Sequence, residues 1–92
     1  MFKKVENIHF VGIGGIGMSG IAELLMNLGF NITGSDINHS QNVKRLEKIG
    51  ITIFIGHNKK NVNNADAIVY SSAVPFNNNE ILEAKKKINT NY

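Results

Sequence analysis

Ninety-two residues with 42% apolar content suffice for one domain with a single core and are too few for two. The net charge of +3 rests largely on Lys3-Lys4, Lys59-Lys60 and Lys85 to Lys87, dispersed along the chain with no interleaved aromatic residues, which argues against a nucleic-acid partner. Cysteine is absent and the histidines are scattered, so neither a disulfide framework nor a metal site is expected; no apolar run approaches the roughly 18 residues of a membrane span, and a cytoplasmic protein without a membrane partner is the expectation.

In chain order, Ile8 to Val11 is a short apolar run ended by glycine and predicts a buried strand. From Gly15 to Leu28 the apolar positions Met18, Ile21, Ala22, Leu25 and Leu28 recur at three and four residues, which predicts a helix with those side chains on its core face. Asn31 to Ser35 is a second strand. Ser40 can cap a second helix that buries Val43 and Leu46, exposes Lys44, Arg45 and Lys48, and ends at Gly50. The β-branched run Ile51 to Ile55 is a third strand. The polar stretch from Gly56 to Asp66 has room for a short helix at most, with an irregular middle. Ala67 to Tyr70 is a fourth strand, followed by the loop Ser71 to Pro75. Asn77 or Asn78 can cap a last helix ending near Asn89, with Glu80 in its first turn and Ile81, Ala84 and Ile88 on one face.

Strands alternating with helices at these spacings predict an α/β fold: a Rossmann-like, doubly wound parallel sheet of four strands in the order 3-2-1-4, with helices on both faces. Residues 89–92 fall where a further strand would begin. In such a sheet ligands bind at the carboxyl ends of the strands, where the order reverses between the first and the fourth.

The chemistry-bearing residues fall in those loops. Gly12, Gly14 and Gly17 form G-x-G-x-x-G between a strand and a helix. Gly12 would permit the tight turn, Gly14 would let the backbone approach a diphosphate held by the free N–H groups of the helix start, and Gly17 would let helix and strand pack closely. Asp36 lies 19 residues beyond Gly17, at the end of the second strand, and is either a ribose or base acceptor or a turn and cap aspartate. Ser35 and Ser40 beside it are contacts or caps. His57 either faces the nucleotide or lies on the surface, and no carboxylate at a suggestive spacing marks it as a general acid or base. Ser71 and Ser72 are phosphate or sugar contacts, or simply loop.

The run His9-Phe10-Val11-Gly12-Ile13-Gly14-Gly15-Ile16-Gly17-Met18-Ser19-Gly20-Ile21-Ala22-Glu23 resembles the amino terminus of the UDP-N-acetylmuramate:L-alanine ligases, a branch of the Mur ligase family. Gly34-Ser35-Asp36 with Ser40, Gly56-His57, Ser71-Ser72-Ala73-Val74-Pro75 and Asn78 with Glu80-Ile81 follow in the order of that family's blocks, so the resemblance covers nearly the whole chain. Asn79 stands where family members often have proline, at a helix start that tolerates either.

The resemblance implies an amino-terminal domain, residues 1–92, that binds the UDP part of UDP-N-acetylmuramate through Gly14, Gly15, Ile16 and Gly17, with Asp36 toward the uridine and His57, Ser71, Ser72 and Ala73 lining the same cleft. In the complete family enzyme ATP, with Mg, phosphorylates the muramoyl carboxylate, and the amino group of L-alanine attacks the acyl phosphate in peptidoglycan precursor synthesis. The chain contains no Gly-Lys pair and hence no ATP loop, so catalytic residues, cofactors, and the central and carboxyl-terminal domains are expected outside it. By itself it is expected to be inactive. Two other readings fit the glycines and Asp36 alone: an NAD-binding oxidoreductase domain and a nucleotide-sensing regulatory module.

Overall fold

The computed structural model describes residues 5–88, apart from the side chain of Ile88. Strands β1 (Asn7–Val11), β2 (Asn31–Asp36), β3 (Thr52–Ile55) and β4 (Ala67–Tyr70) form one parallel sheet in the order β3-β2-β1-β4, as the alternation of elements predicts. Helix α1 (Met18–Asn27) connects β1 to β2 and α2 (Gln41–Lys48) connects β2 to β3. A 3-10 turn, Lys59–Val62, lies between β3 and β4, and α3 (Asn79–Ile88) follows β4. Among the described residues no helix is long and apolar enough to cross a membrane. The Lys3-Lys4 pair, the end of the last helix near Asn89 and residues 89–92, where a further strand would begin, lie outside the described residues.

The pleat of the central strand divides the core between two faces. Ile8 and Phe10 of β1 and Ile32 of β2 pack with Ile13, with Met18 and Ala22 of α1, and with Val43 and Leu46 of α2. His9 and Val11 alternate to the opposite face, where Val62, Ile81 and Ala84 are buried. Fully burying a side chain of this size contributes about 1.5–3 kcal/mol relative to leaving it in water, so these two faces hold the helices to the sheet.

Helix α2 follows its sequence signals. Ser40 is its N-cap and accepts from Val43 N at 3.3 Å, Val43 and Leu46 are buried, and Lys44, Arg45 and Lys48 face out. At α3 it is Asn78 that caps, its Oδ1 accepting from Glu80 N at 2.8 Å.

Two expectations need correction at α1. It begins at Met18, because the glycines before it have little helical preference and form turns instead, with Gly15 N donating to Gly12 O and Met18 N to Gly15 O, both at 3.1 Å. Its buried stripe runs through Met18 and Ala22 toward Leu25 and Met26, which rotates Ile21 and Leu28 out to solvent, 45% and 66% exposed. In the stretch between β3 and β4 the irregular middle is the 3-10 turn, started by Asn58 Oδ1 accepting from Lys60 N.

Candidate functional site

The glycine turn crosses the carboxyl end of β1 as expected. Gly12 takes φ +77°, a conformation that side chains resist, and the N–H groups of Gly12 and Ile13 both donate to Ser35 O, at 2.8 and 3.0 Å. Gly14 N donates to Asp36 Oδ2 at 2.9 Å and Gly15 N to Gly12 O at 3.1 Å. Of the backbone amides expected around a diphosphate, those of Gly14 and Gly15 are thus engaged within the protein. Among the described residues the amides of Ile16 and Gly17 have no such partner and are left open just ahead of α1.

The duties expected of the other glycines are redistributed. A Cβ on Gly14 would meet Asp36 Oδ2 and Val43 Cγ2 at 2.9 Å and Ser40 Oγ at 3.0 Å, so the missing side chain makes room for the end of β2 and the start of α2. A Cβ on Gly17 would meet nothing within 4 Å, and Gly17 is not the close-packing glycine. That part falls to Gly34, whose Cβ would stand 2.8 Å from Ile13 Cβ. The reason is topological: the turn leans onto β2, so the crowded position is in β2.

Asp36 ends β2 and is half-buried, and its carboxylate already holds the loop, accepting from Gly14 N and, at 3.0 Å, from Asn38 N. A carboxylate has about four acceptor sites, so capacity remains for a ligand donor. Of its neighbours, Ser40 is a helix cap and Ser35 is buried. The loop after β4 comes beside the turn: Val74 Cγ2 lies 3.1 Å from where a Gly12 Cβ would be. Ser71 Oγ accepts from Ala73 N at 3.3 Å in a local turn, and Ser72 and Ala73 are exposed.

What the sequence reading missed is a buried polar cluster beneath these loops, centred on Glu80. Its side chain is fully buried. Oε1 accepts from His9 Nε2 at 2.9 Å and Ser35 Oγ at 2.6 Å; Oε2 accepts from Asn58 N at 3.0 Å and Asn61 Nδ2 at 2.7 Å. Burial pushes this carboxyl up, but the hydrogen bonds from His9, Ser35, Asn61 and the Asn58 backbone outweigh it and bring the pKa from 4.5 down to about 2. His57 joins the cluster through Nδ1, 2.9 Å from Ser35 Oγ and 3.7 Å from Glu80 Oε2. The carboxylate that spacing did not suggest for His57 is therefore Glu80. The signal for it was His9, a polar ring in the middle of an apolar strand, which requires a buried partner.

A cavity of about 400 Å³ lies between the loop after β3 and α3, with His57, Lys59, Glu83 and Lys86 in its walls. The glycine turn does not line it. His39 is elsewhere, paired with Glu47 at 2.7 Å on the surface. Among the described residues no group of three or more His, Asp or Glu is placed to hold a metal ion.

Compared with known proteins, residues 7–91 match the model of the Mur ligase family, catalytic domain. The chain belongs to the Mur ligase family. A UDP-N-acetylmuramate–L-alanine ligase of Geotalea uraniireducens is 54% identical over 88 residues, 96% of this chain and 19% of that protein. The crystal structure of a UDP-N-acetylmuramate-alanine ligase from Thermotoga maritima superposes with a TM-score of 0.85 at 38% identity, over 91% of this chain and 19% of that one. A murein peptide ligase from Psychrobacter arcticus gives 0.79 at 29% identity, over 91% and 18%. This Mur ligase family chain thus spans about a fifth of the relatives it matches, and the four-stranded sheet is the part of the fold it shares with them.

Proposed function

We propose that this chain is the UDP-N-acetylmuramate-binding domain of an ATP-dependent ligase that joins L-alanine to UDP-N-acetylmuramate in peptidoglycan precursor synthesis in the cytoplasm. The observation that carries the reading is the open pair of amides at Ile16 and Gly17, at the start of α1 and in the same glycine turn whose Gly14 N–H the Asp36 carboxylate holds, in a chain 54% identical to a ligase of that name. Free N–H groups at a helix start stabilise a diphosphate, and the remaining lone pairs of Asp36 suit the hydroxyl or N–H donors of a uridine. His57 and the loop Ser71 to Ala73 would line the same rim, with Gly14 and Gly15 shaping it. ATP, Mg and L-alanine would be held by parts of the longer ligase outside this chain, which has no Gly-Lys pair for an ATP loop.

Calorimetric titration of the chain with UDP-N-acetylmuramate, UDP, NAD and ATP tests this. Binding of the two uridine nucleotides in preference to NAD is expected, with modest affinity because the sugar end stays in water, and with no alanine ligation by the chain itself. Tight NAD binding without UDP binding would overturn the reading.

A further inference from the structure

The buried cluster dictates where its protons sit. Glu80, its pKa lowered to about 2, is ionised at neutral pH and can only accept. Ser35 Oγ lies 2.6 Å from Glu80 Oε1 and must give that carboxylate its one hydrogen. Toward His57 Nδ1, 2.9 Å away, the same oxygen can then only accept, so the ring proton of His57 is on Nδ1. Glu80 Oε2, 3.7 Å from that nitrogen, favours the same arrangement. Nε2 of His57 has no protein partner among the described residues, and it is not sealed in: the side chain is 19% exposed, and no buried side-chain nitrogen or oxygen lacks a partner.

We infer that Glu80, acting through Ser35, fixes His57 in the Nδ1–H form and so presents its Nε2 lone pair to a hydrogen-bond donor of the bound nucleotide, a hydroxyl or imide N–H of the uridine. This rests on the uridine-nucleotide reading above. Glu80 and Ser35 are then positioning residues, and His57 is the contact they aim. The arrangement selects for a ligand that donates at this point and against one that presents an acceptor.

Glu80→Gln reverses the relay without changing its shape. The amide oxygen must take the Oε2 side, because the backbone N–H of Asn58 can only donate. The NH2 group then occupies the Oε1 side and donates to Ser35 Oγ and His9 Nε2. Ser35 turns its hydrogen to His57 Nδ1, His9 carries its proton on Nδ1 toward Thr33 Oγ1, and His57 is left with Nε2–H. Every partner stays satisfied, with two histidine tautomers inverted.

Long-range proton–nitrogen spectra of the ligand-free chain at neutral pH read this directly. The wild type is expected to show Nδ1–H at His57, and Glu80→Gln to show Nε2–H. Ser35→Ala, which keeps the Glu80 bonds to His9, Asn58 and Asn61, is expected to leave His57 as a mixture. A wild-type His57 protonated on Nε2 overturns the inference with no variant needed, as does pure Nδ1–H in either variant. Affinity for UDP-N-acetylmuramate is expected to fall about tenfold in Glu80→Gln, where a donor replaces the acceptor. Equal affinity in a tautomer-inverted variant overturns the ligand contact. A wild type that binds no uridine nucleotide overturns the site reading as well, while the ligand-free spectra still judge the relay.

Discussion

Acid should unfold this domain through Glu80. Its carboxyl has an ordinary pKa of 4.5 when exposed and about 2 in the folded chain. A depressed carboxyl pKa stabilises the fold above the unfolded value, and that stabilisation is lost as pH falls through the folded one, so the window is about pH 4.5 to 2. At about 1.4 kcal/mol per unit, the fall is worth about 3 kcal/mol. Domains of this kind hold only about 5–15 kcal/mol in total, so the loss is a large share of the whole. Urea unfolding followed by circular dichroism at pH 7, 5, 4, 3 and 2 gives the curve. The wild type should lose about 3 kcal/mol more than Glu80→Gln across that window, because glutamine has no charge to lose. Parallel curves for the two proteins would refute the assignment of the acid sensitivity to Glu80.

Other substitutions test the packing and the loop. Gly34→Ala should destabilise by about 1–3 kcal/mol in thermal melts, since its Cβ would overlap the Ile13 side chain, whereas Gly17→Ala, open on all sides at φ −80°, should be neutral or gain about 0.4–1 kcal/mol. Asp36→Ala should weaken UDP binding and also cost about 1–3 kcal/mol of stability, because two backbone N–H groups lose their acceptor; unchanged urea midpoints would show that these bonds contribute nothing. Ser40→Ala should cost about 1 kcal/mol, read as a fall in melting temperature of about 4–8 °C.

The parts of this structure that were legible in the sequence are those decided by neighbours along the chain. Strand β1 and the Gly12 turn, the caps Ser40 and Asn78, and the buried Val43 and Leu46 each follow from a local pattern, and with the elements placed, the order β3-β2-β1-β4 follows from the connections. Distance along the chain hid the rest. Glu80 is 71 residues from His9, 45 from Ser35 and 19 from Asn61, and nothing in a helix-start glutamate distinguishes a buried hub from an exposed residue near the helix dipole. Helical periodicity correctly indicated that α1 has a core face but left its rotation to be set by packing against β2 and α2, so Ile21 and Leu28 came out exposed. The G-x-G-x-x-G pattern marked the right turn while giving Gly17 the close packing that falls to Gly34, because the crowding depends on which strand the turn leans against.

Asp36 at the end of β2 and Glu80 in the first turn of α3 divide the work of the site by how many donors each already holds. Glu80 accepts four hydrogen bonds, which uses the acceptor capacity of a carboxylate, and it is fully buried; it can neither touch a ligand nor take a proton from one. Asp36 accepts two and is only half-buried, so it can hold the loop and still receive a ligand donor. The saturation of Glu80 has a mechanical result. Its partners come from β1, β2 and the segment after β3, so the carboxylate ties α3 and the loop carrying His57 to the same strands that carry the glycine turn. Ser35 strengthens the tie, its carbonyl holding Gly12 and Ile13 while its hydroxyl bridges Glu80 and His57. A nucleotide meeting the Ile16 and Gly17 amides and His57 together would therefore meet groups whose spacing is set before it arrives, which lowers the ordering cost of binding.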